Sequence, residues 1–194
     1  MDRLLKGKIA SVIRVVTFLL LLIWPFVIWQ GVAQGALGWL LLLLGITFLL
    51  RLYVLKGRLG ALAGLGKLLA LFGIVLCLAS ALLRDYHLLL YYPVVMNAML
   101  LLLFGSSLRY GPPVVERLAR LQDPSLPPEA VKYTRTVTKV WCVFFICNGA
   151  VSLATCLYGN LDIWTMYNGV ISYLMIGLVM GIEWLVRQRV KKQQ

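Results

Sequence analysis

The sequence predicts an all-α polytopic membrane protein, a bundle of six transmembrane helices with the N- and C-termini cytoplasmic. Three observations predict this fold. Hydrophobic residues make up 61% of the 194-residue chain and charged residues only 13%, whereas soluble proteins carry about 25% charged residues. Apolar runs long enough to cross a bilayer recur along the chain. Nearly all Lys and Arg residues fall at alternate ends of these runs.

The first half of the chain predicts three spans, at about 9–29, 39–55 and 59–83. A basic patch precedes the first span, which is about 20 residues long and has no small-residue cleavage site. We therefore interpret it as a retained span and not as a signal peptide. Its connection to the second span, GVAQGALG, carries no charge and is easily translocated.

The second half predicts spans at about 88–108, 137–158 and 163–186, with the turn RDYH separating the third span from the fourth. The loop at 109–136 is predicted to be cytoplasmic and to contain a helix lying in the headgroup plane. Its apolar stripe consists of Val114, Val115, Leu118 and Leu121, with Glu116, Arg117 and Arg120 off the stripe. Pro128 is placed to begin a second helix that continues directly into span five.

The distribution of positive charge predicts the orientation, because short cytoplasmic loops are enriched in Lys and Arg. With six spans and a cytoplasmic N-terminus, every one of the nineteen Lys and Arg residues except Arg84 lies at a cytoplasmic end. Five spans, with the third and fourth fused, would place the N-terminus and the long loop on opposite sides. The charge distribution argues against that arrangement.

Composition and motifs argue against several functional classes. A net charge of +12 would suit nucleic acid only if it were clustered on a solvated face; here it flanks apolar runs, so anionic lipid headgroups are the expected partner and nucleic acid is not. The four cysteines lie in apolar segments without CxxC spacing or a nearby histidine, which predicts free thiols and no metal site. No catalytic motif is present, so we expect neither an enzyme nor a cofactor.

Charged residues at membrane depth are the sharpest candidates for function, because they are costly unless paired. Glu183 lies inside the sixth apolar run, one turn before Arg187. Arg14 and Lys67 lie at comparable depth in spans one and three. These four residues could hold an anionic lipid headgroup or a phosphate. Alternatively, the long side chains reach the interface individually and Glu183 pairs only with Arg187.

Two further sets of residues follow from helical spacing. Lys132, Arg135 and Lys139 recur at three- and four-residue steps and predict a basic face at the inner leaflet, a second candidate for binding lipid or anions. Amides near the middle of spans four and five, an amide nearer the outside on span six, and small residues on span six predict helix packing, with a substrate path as the alternative for the amides. The packing candidates are Asn97, Asn148, Asn168, Gly177 and Gly181.

The segment FGSSLRYGPPVVERLARLQDPSLPPEAVKYTRTVTKVWCVFFICNG, followed by WTMYNGVISYLMIG and EWLVRQR, resembles a family of uncharacterised bacterial inner-membrane proteins often encoded in aryl polyene, fatty-acid-synthase-like gene clusters. More distantly, TKVWCVFFICNG and the later Trp164 are similar to the intracellular septation protein A family. The resemblance covers about residues 90–190. It implies a multi-pass protein of the bacterial inner membrane, and it carries over no catalytic residue.

Together these observations predict a non-catalytic accessory or scaffold protein in envelope or aryl-polyene-type lipid biosynthesis. Its basic face would bind anionic headgroups, an acyl-carrier protein or a membrane acyltransferase, since carrier proteins are acidic. The alternative is a small transporter or flippase for lipids or lipid-linked intermediates that uses Glu183 with Arg14 and Lys67. A membrane-embedded transferase ranks third.

Overall fold

The computed structural model of the chain describes residues 16, 19–20, 23–57, 60–121 and 123–192. Every regular element within these residues is a helix. Five of the helical segments are long and apolar enough to cross a membrane: Gly38–Leu55, Ala63–Leu83, His87–Ser107, Pro128–Tyr158 and Leu161–Gln188. The prediction of an all-helical fold is therefore confirmed for the described residues, and their five candidate spans agree with a multi-pass membrane protein. Most of the predicted first span, 9–29, lies outside the described residues.

The described helices follow one another with short connections. In chain order they are α1 (Trp24–Ala33), α2 (Leu37–Leu55), α3 (Ala61–Leu83), α4 (His87–Leu90), α5 (Tyr92–Ser107), α6 (Val114–Arg120), α7 (Pro128–Tyr158), α8 (Leu161–Met166), a π-helical turn (Tyr167–Ile171) and α9 (Ser172–Lys192). The closest packing is between α2 and α3 and between α5 and α7. Helix α1 packs against α2, α8 and the π-helical turn.

The fourth predicted span is interrupted, where the sequence predicted one continuous helix over 88–108. Helix α4 ends at Leu90 and α5 begins at Tyr92. Pro93 explains the break, because proline has no N–H and its ring conflicts with the carbonyl of Leu89 four residues earlier. The indole Nε1 of Trp164 and the Cys156 thiol both donate to the Leu90 carbonyl oxygen, each at 3.1 Å. Side chains of α7 and α8 thus supply donors at the break.

The polar segment between α5 and α7 is helical in the two places predicted. Pro128 begins α7, which continues without interruption to Tyr158, so that prediction is confirmed. The predicted polar side of α6 is wrong at Glu116, which is only 5% exposed and forms an ion pair with Arg120 at 2.8 Å. The reason is that α6 packs against α5 and α7, and this packing covers the side that carries Glu116.

An aromatic cluster holds α1, α2 and α5 together. The rings of Trp24, Phe48 and Tyr92 lie 4.9–5.4 Å apart, centre to centre, and all three side chains are buried. Helix α3 reaches the cluster at Gly73, where a Cβ atom would overlap the Phe48 ring. The absence of a side chain at Gly73 therefore lets α3 pack directly against α2.

Candidate functional site

A cavity of about 530 Å³ lies at the end of the bundle where α7 begins and α9 approaches its C-terminus. Its walls come from α5, α6, α7, α9 and the turn between α6 and α7. Most of the lining is apolar, and the polar groups are few. The lining residues are Phe104, Val115, Leu118, Ala119, Asp123, Leu126, Pro127, Ala130, Tyr133, Thr134, Val137, Trp141, Phe145, Met180, Glu183 and Arg187.

One face of α7 forms the largest part of the wall. Ala130, Tyr133, Val137, Trp141 and Phe145 follow one another at three- and four-residue steps, which places them in a row along one side of the helix. Because α7 is a single helix from Pro128, this row extends from the polar segment into the apolar region. The cavity therefore has a polar end and a long apolar side.

The polar end is built by contact between α7 and α9. The Tyr133 hydroxyl donates to the backbone carbonyl oxygen of Glu183 at 3.1 Å, and the carboxylate atom Oε1 lies 3.5 Å from the same hydroxyl. Arg187 lines the cavity one helical turn further on. The structure shows no ion pair between the Glu183 carboxylate and the Arg187 guanidinium, both of which it describes. Both charged residues thus line the cavity without an ion pair between them.

The four charged residues predicted to act together do not all meet at this cavity. Glu183 and Arg187 line it, whereas Lys67 is half-buried on α3 and does not. Arg14 lies outside the described residues. The structure thus brings together the two members of the set that share one helix.

The predicted basic face lies on α7 but faces away from the cavity. Lys132, Arg135 and Lys139 are exposed, and none of them lines the cavity. The Arg135 guanidinium donates from Nη2 to the carbonyl oxygen of Leu108 at 2.8 Å. Because Leu108 directly follows α5, this bond satisfies a carbonyl at the end of that helix. Arg135 thus links α7 to α5, and the two lysines present their charge to the surroundings.

The predicted packing amides lie in buried hydrogen-bond networks at the contact of α5, α7 and the π-helical turn. Asn148 donates from Nδ2 to the Asn97 side-chain oxygen at 3.0 Å and accepts from the Tyr167 hydroxyl at 3.0 Å. Asn168 accepts from Ser152 at 2.8 Å and donates to the Thr155 hydroxyl at 3.2 Å. These bonds connect α7 to α5 and to the π-helical turn. None of the three amides lines the cavity.

The predicted packing glycines on α9 lie apart from the other described helices. Gly177 and Gly181 are exposed, and a Cβ atom built on either would have no neighbour within 4 Å among the described residues. Gly169, in the π-helical turn, instead packs against Phe26 and Pro25, with the nearest ring atoms 3.0 Å from a built Cβ. Contact with α1 is therefore made at the turn and not along α9.

The turn between α3 and α4 contains a second pair of titratable groups. Asp85 accepts hydrogen bonds from the backbone N–H of His87 at 2.9 Å and from the His87 ring at 2.6 Å. Both hydrogen bonds hold the pKa of Asp85 below its usual range, and the bond from the backbone N–H has the larger effect. In the described part of the chain no three His, Cys, Asp or Glu side chains come together as metal ligands.

Sequence reasoning did not identify the residues that complete the cavity, above all Tyr133, Trp141 and Asp123. Tyr133 lies 50 residues from Glu183 along the chain, so no local spacing connects them. The row at three- and four-residue steps on α7 is visible in the sequence, but such spacing gives only one side of a helix and not the helix that faces it. No family model matches the chain, and no significant match is found among curated proteins or solved structures.

Proposed function

We propose that this protein is a non-catalytic membrane accessory protein that holds an amphipathic lipid, or a lipid-linked intermediate, in the cavity between α6, α7 and α9. The single observation that carries the proposal is the composition of the cavity wall. A long apolar side leads to one polar end, where Tyr133, Glu183 and Arg187 lie together. Such a wall matches a molecule with an apolar chain and a polar head.

The size and the lining of the cavity support this proposal. Ligand sites typically enclose about 300–1,000 Å³ and combine apolar walls with a few placed polar groups, and this cavity of about 530 Å³ falls within that range. The charges of Glu183 and Arg187 at the polar end would be costly at membrane depth without a partner. A bound headgroup would supply that partner.

The topology proposed with this function is a bundle of six spans with both termini cytoplasmic, in the bacterial inner membrane. The bias of Lys and Arg supports the orientation, and the retained apolar run at 9–29 would supply the sixth span. The cavity would then open at the cytoplasmic side. A reporter fused after Gln194 should be active in the cytoplasm; activity in the periplasm would contradict the orientation.

The biological setting proposed is envelope lipid synthesis of the aryl polyene type, and it is supported by the sequence resemblance alone. The exposed Lys132 and Lys139 on α7 are the proposed contact for anionic lipid headgroups, for an acyl-carrier protein or for a membrane acyltransferase. The cavity and this basic face lie on different sides of the same helix. One helix could therefore hold a lipid and meet a partner at once.

Filling the cavity tests the proposed function directly. Ala130→Trp places an indole in the cavity, whereas Ala154→Trp puts the same side chain on an exposed position of the same helix, away from the cavity. Both variants and the wild type would be purified in mild detergent, and bound amphiphiles would be measured by native mass spectrometry. We expect Ala130→Trp to lose the bound molecule and Ala154→Trp to retain it. Equal retention by both would contradict the proposal.

A further inference from the structure

The charge inside the cavity is opposite in sign to that of the chain. The whole chain has 19 basic and 7 acidic residues, yet among the described residues that line the cavity two are acidic, Asp123 and Glu183, and one is basic, Arg187. Asp123 is exposed, and its Oδ1 accepts hydrogen bonds from the backbone N–H and the hydroxyl of Ser125. Because Lys132, Arg135 and Lys139 face away from it, the basic surface does not extend inside. The described lining of the cavity is therefore acidic on balance, with Arg187 as its basic residue.

Glu183 is held in position by Tyr133 and has no ion-pair partner among the described residues. Among the described residues its carboxylate meets one donor, the Tyr133 hydroxyl at 3.5 Å from Oε1, and the same hydroxyl also donates to the Glu183 backbone carbonyl at 3.1 Å; the carboxylate makes no ion pair with Arg187. A half-buried carboxylate at membrane depth with one weak donor needs a cationic partner to offset its loss of hydration. An ammonium group supplies both the charge and several N–H donors.

We propose that the cavity selects a zwitterionic amphiphile, one whose headgroup carries an ammonium group beside a phosphate. This inference deepens the proposed function and rests on it. The ammonium lies against Glu183, with Asp123 adding negative charge, and the phosphate lies against Arg187. The chains follow the apolar row that continues to Trp141 and Phe145 on α7.

This assignment differs from simple attraction to anionic lipid. A purely anionic headgroup would meet Arg187 favourably but would also meet the carboxylates of Glu183 and Asp123, and like charges placed side by side disfavour binding. A charge-assisted hydrogen bond contributes enough free energy to change a binding ratio by about tenfold. The zwitterionic lipid should therefore be enriched over the anionic one in the cavity, even though the chain as a whole is basic.

The test is a competition between two lipids that differ only in the headgroup. The full-length protein would be reconstituted in nanodiscs of equimolar phosphatidylethanolamine and phosphatidylglycerol with identical acyl chains, and the lipids retained after release would be quantified by native mass spectrometry. We expect the wild type to retain phosphatidylethanolamine in preference by about tenfold. Retention of equal amounts, or a preference for phosphatidylglycerol, would overturn the inference.

Isosteric variants assign the preference to named residues. Glu183→Gln should bring the lipid ratio close to one, while Glu129→Gln, an exposed acid on the first turn of α7 that does not line the cavity, should leave it unchanged. Asp123→Asn keeps an acceptor oxygen for its own turn and should reduce the ratio in part, so it tests the same idea if Glu183→Gln does not fold. An unchanged ratio in both cavity variants would contradict the inference.

Ala130→Trp and Ala154→Trp, measured in the same nanodiscs, separate the inference from the proposed function. If Ala130→Trp expels lipid but the wild type shows no headgroup preference, the cavity binds amphiphiles and only the zwitterionic selection fails. If Ala130→Trp retains as much lipid as Ala154→Trp, the proposed function itself fails.

Discussion

Gly73→Ala tests the packing that holds the bundle together. A Cβ atom at this position would overlap the ring of Phe48, which is fully buried against Trp24 and Tyr92 and cannot move without opening the aromatic cluster. Overpacking of this kind costs up to about 3 kcal/mol, and replacing glycine by alanine inside a helix gains about 1 kcal/mol. The net expectation is a loss of about 2 kcal/mol in the free energy of unfolding.

The measurement is unfolding in mixed micelles by increasing sodium dodecyl sulfate, followed by circular dichroism. Gly45→Ala on α2 is the matched control, because no side chain of another described helix lies within 4 Å of its built Cβ, and it should be as stable as the wild type or slightly more stable. Combining Gly73→Ala with Phe48→Leu should recover part of the loss, since the smaller side chain makes room. If Gly73→Ala were as stable as Gly45→Ala, the described contact between α2 and α3 would be wrong.

Three other expectations follow from local contacts. Asn148→Leu removes two interhelical hydrogen bonds and should lower the free energy of unfolding by about 1–2 kcal/mol in the same titration. Cys147→Ala, at the exposed neighbouring position, should lower it by almost nothing, and equal effects would contradict a structural role for Asn148. Arg84 ends α3 with φ +51°, so Arg84→Gly should raise the melting temperature by relieving about 0.5–1 kcal/mol of backbone strain, whereas Arg84→Ala should not. The pKa of Asp85 is lowered in the folded state, so its contribution to stability is present above its unfolded pKa and disappears as pH falls through the lower folded value. Between pH 5 and 2 the melting temperature should therefore fall more steeply for the wild type than for Asp85→Asn.

The positions of the spans could be predicted from sequence because they depend on local properties. Runs of apolar residues and the placement of proline determine where helices of this length begin and end. The bounds of α2 and α3 agree with the predicted second and third spans to within about two residues, a usual margin for helix ends, and Pro128 begins α7 as expected. The break before Pro93 could also have been predicted, because a proline begins a helix when it lies in the first turn and interrupts a helix when it lies further in.

The candidate site depends on contacts that no local pattern encodes. The cavity forms because α9 returns beside the start of α7 and brings Glu183 to Tyr133, a contact between residues 50 positions apart. Glu116 shows the same limit, since helical periodicity placed it on a polar face but packing against neighbouring helices buries it. Charge alone indicated a binding surface for anions, whereas the tertiary arrangement places the acidic residue Glu183 beside Tyr133 in a cavity that Arg187 also lines.

The most direct measurement is a cryo-electron microscopy map of the protein in nanodiscs containing phosphatidylethanolamine and phosphatidylglycerol. We predict an elongated density in the cavity, with its broader end beside Tyr133, Glu183 and Arg187 and its narrow part along the α7 row toward Phe145. The density should be absent from Ala130→Trp. A cavity that is empty in the wild type, or closed by movement of α6, would contradict the account.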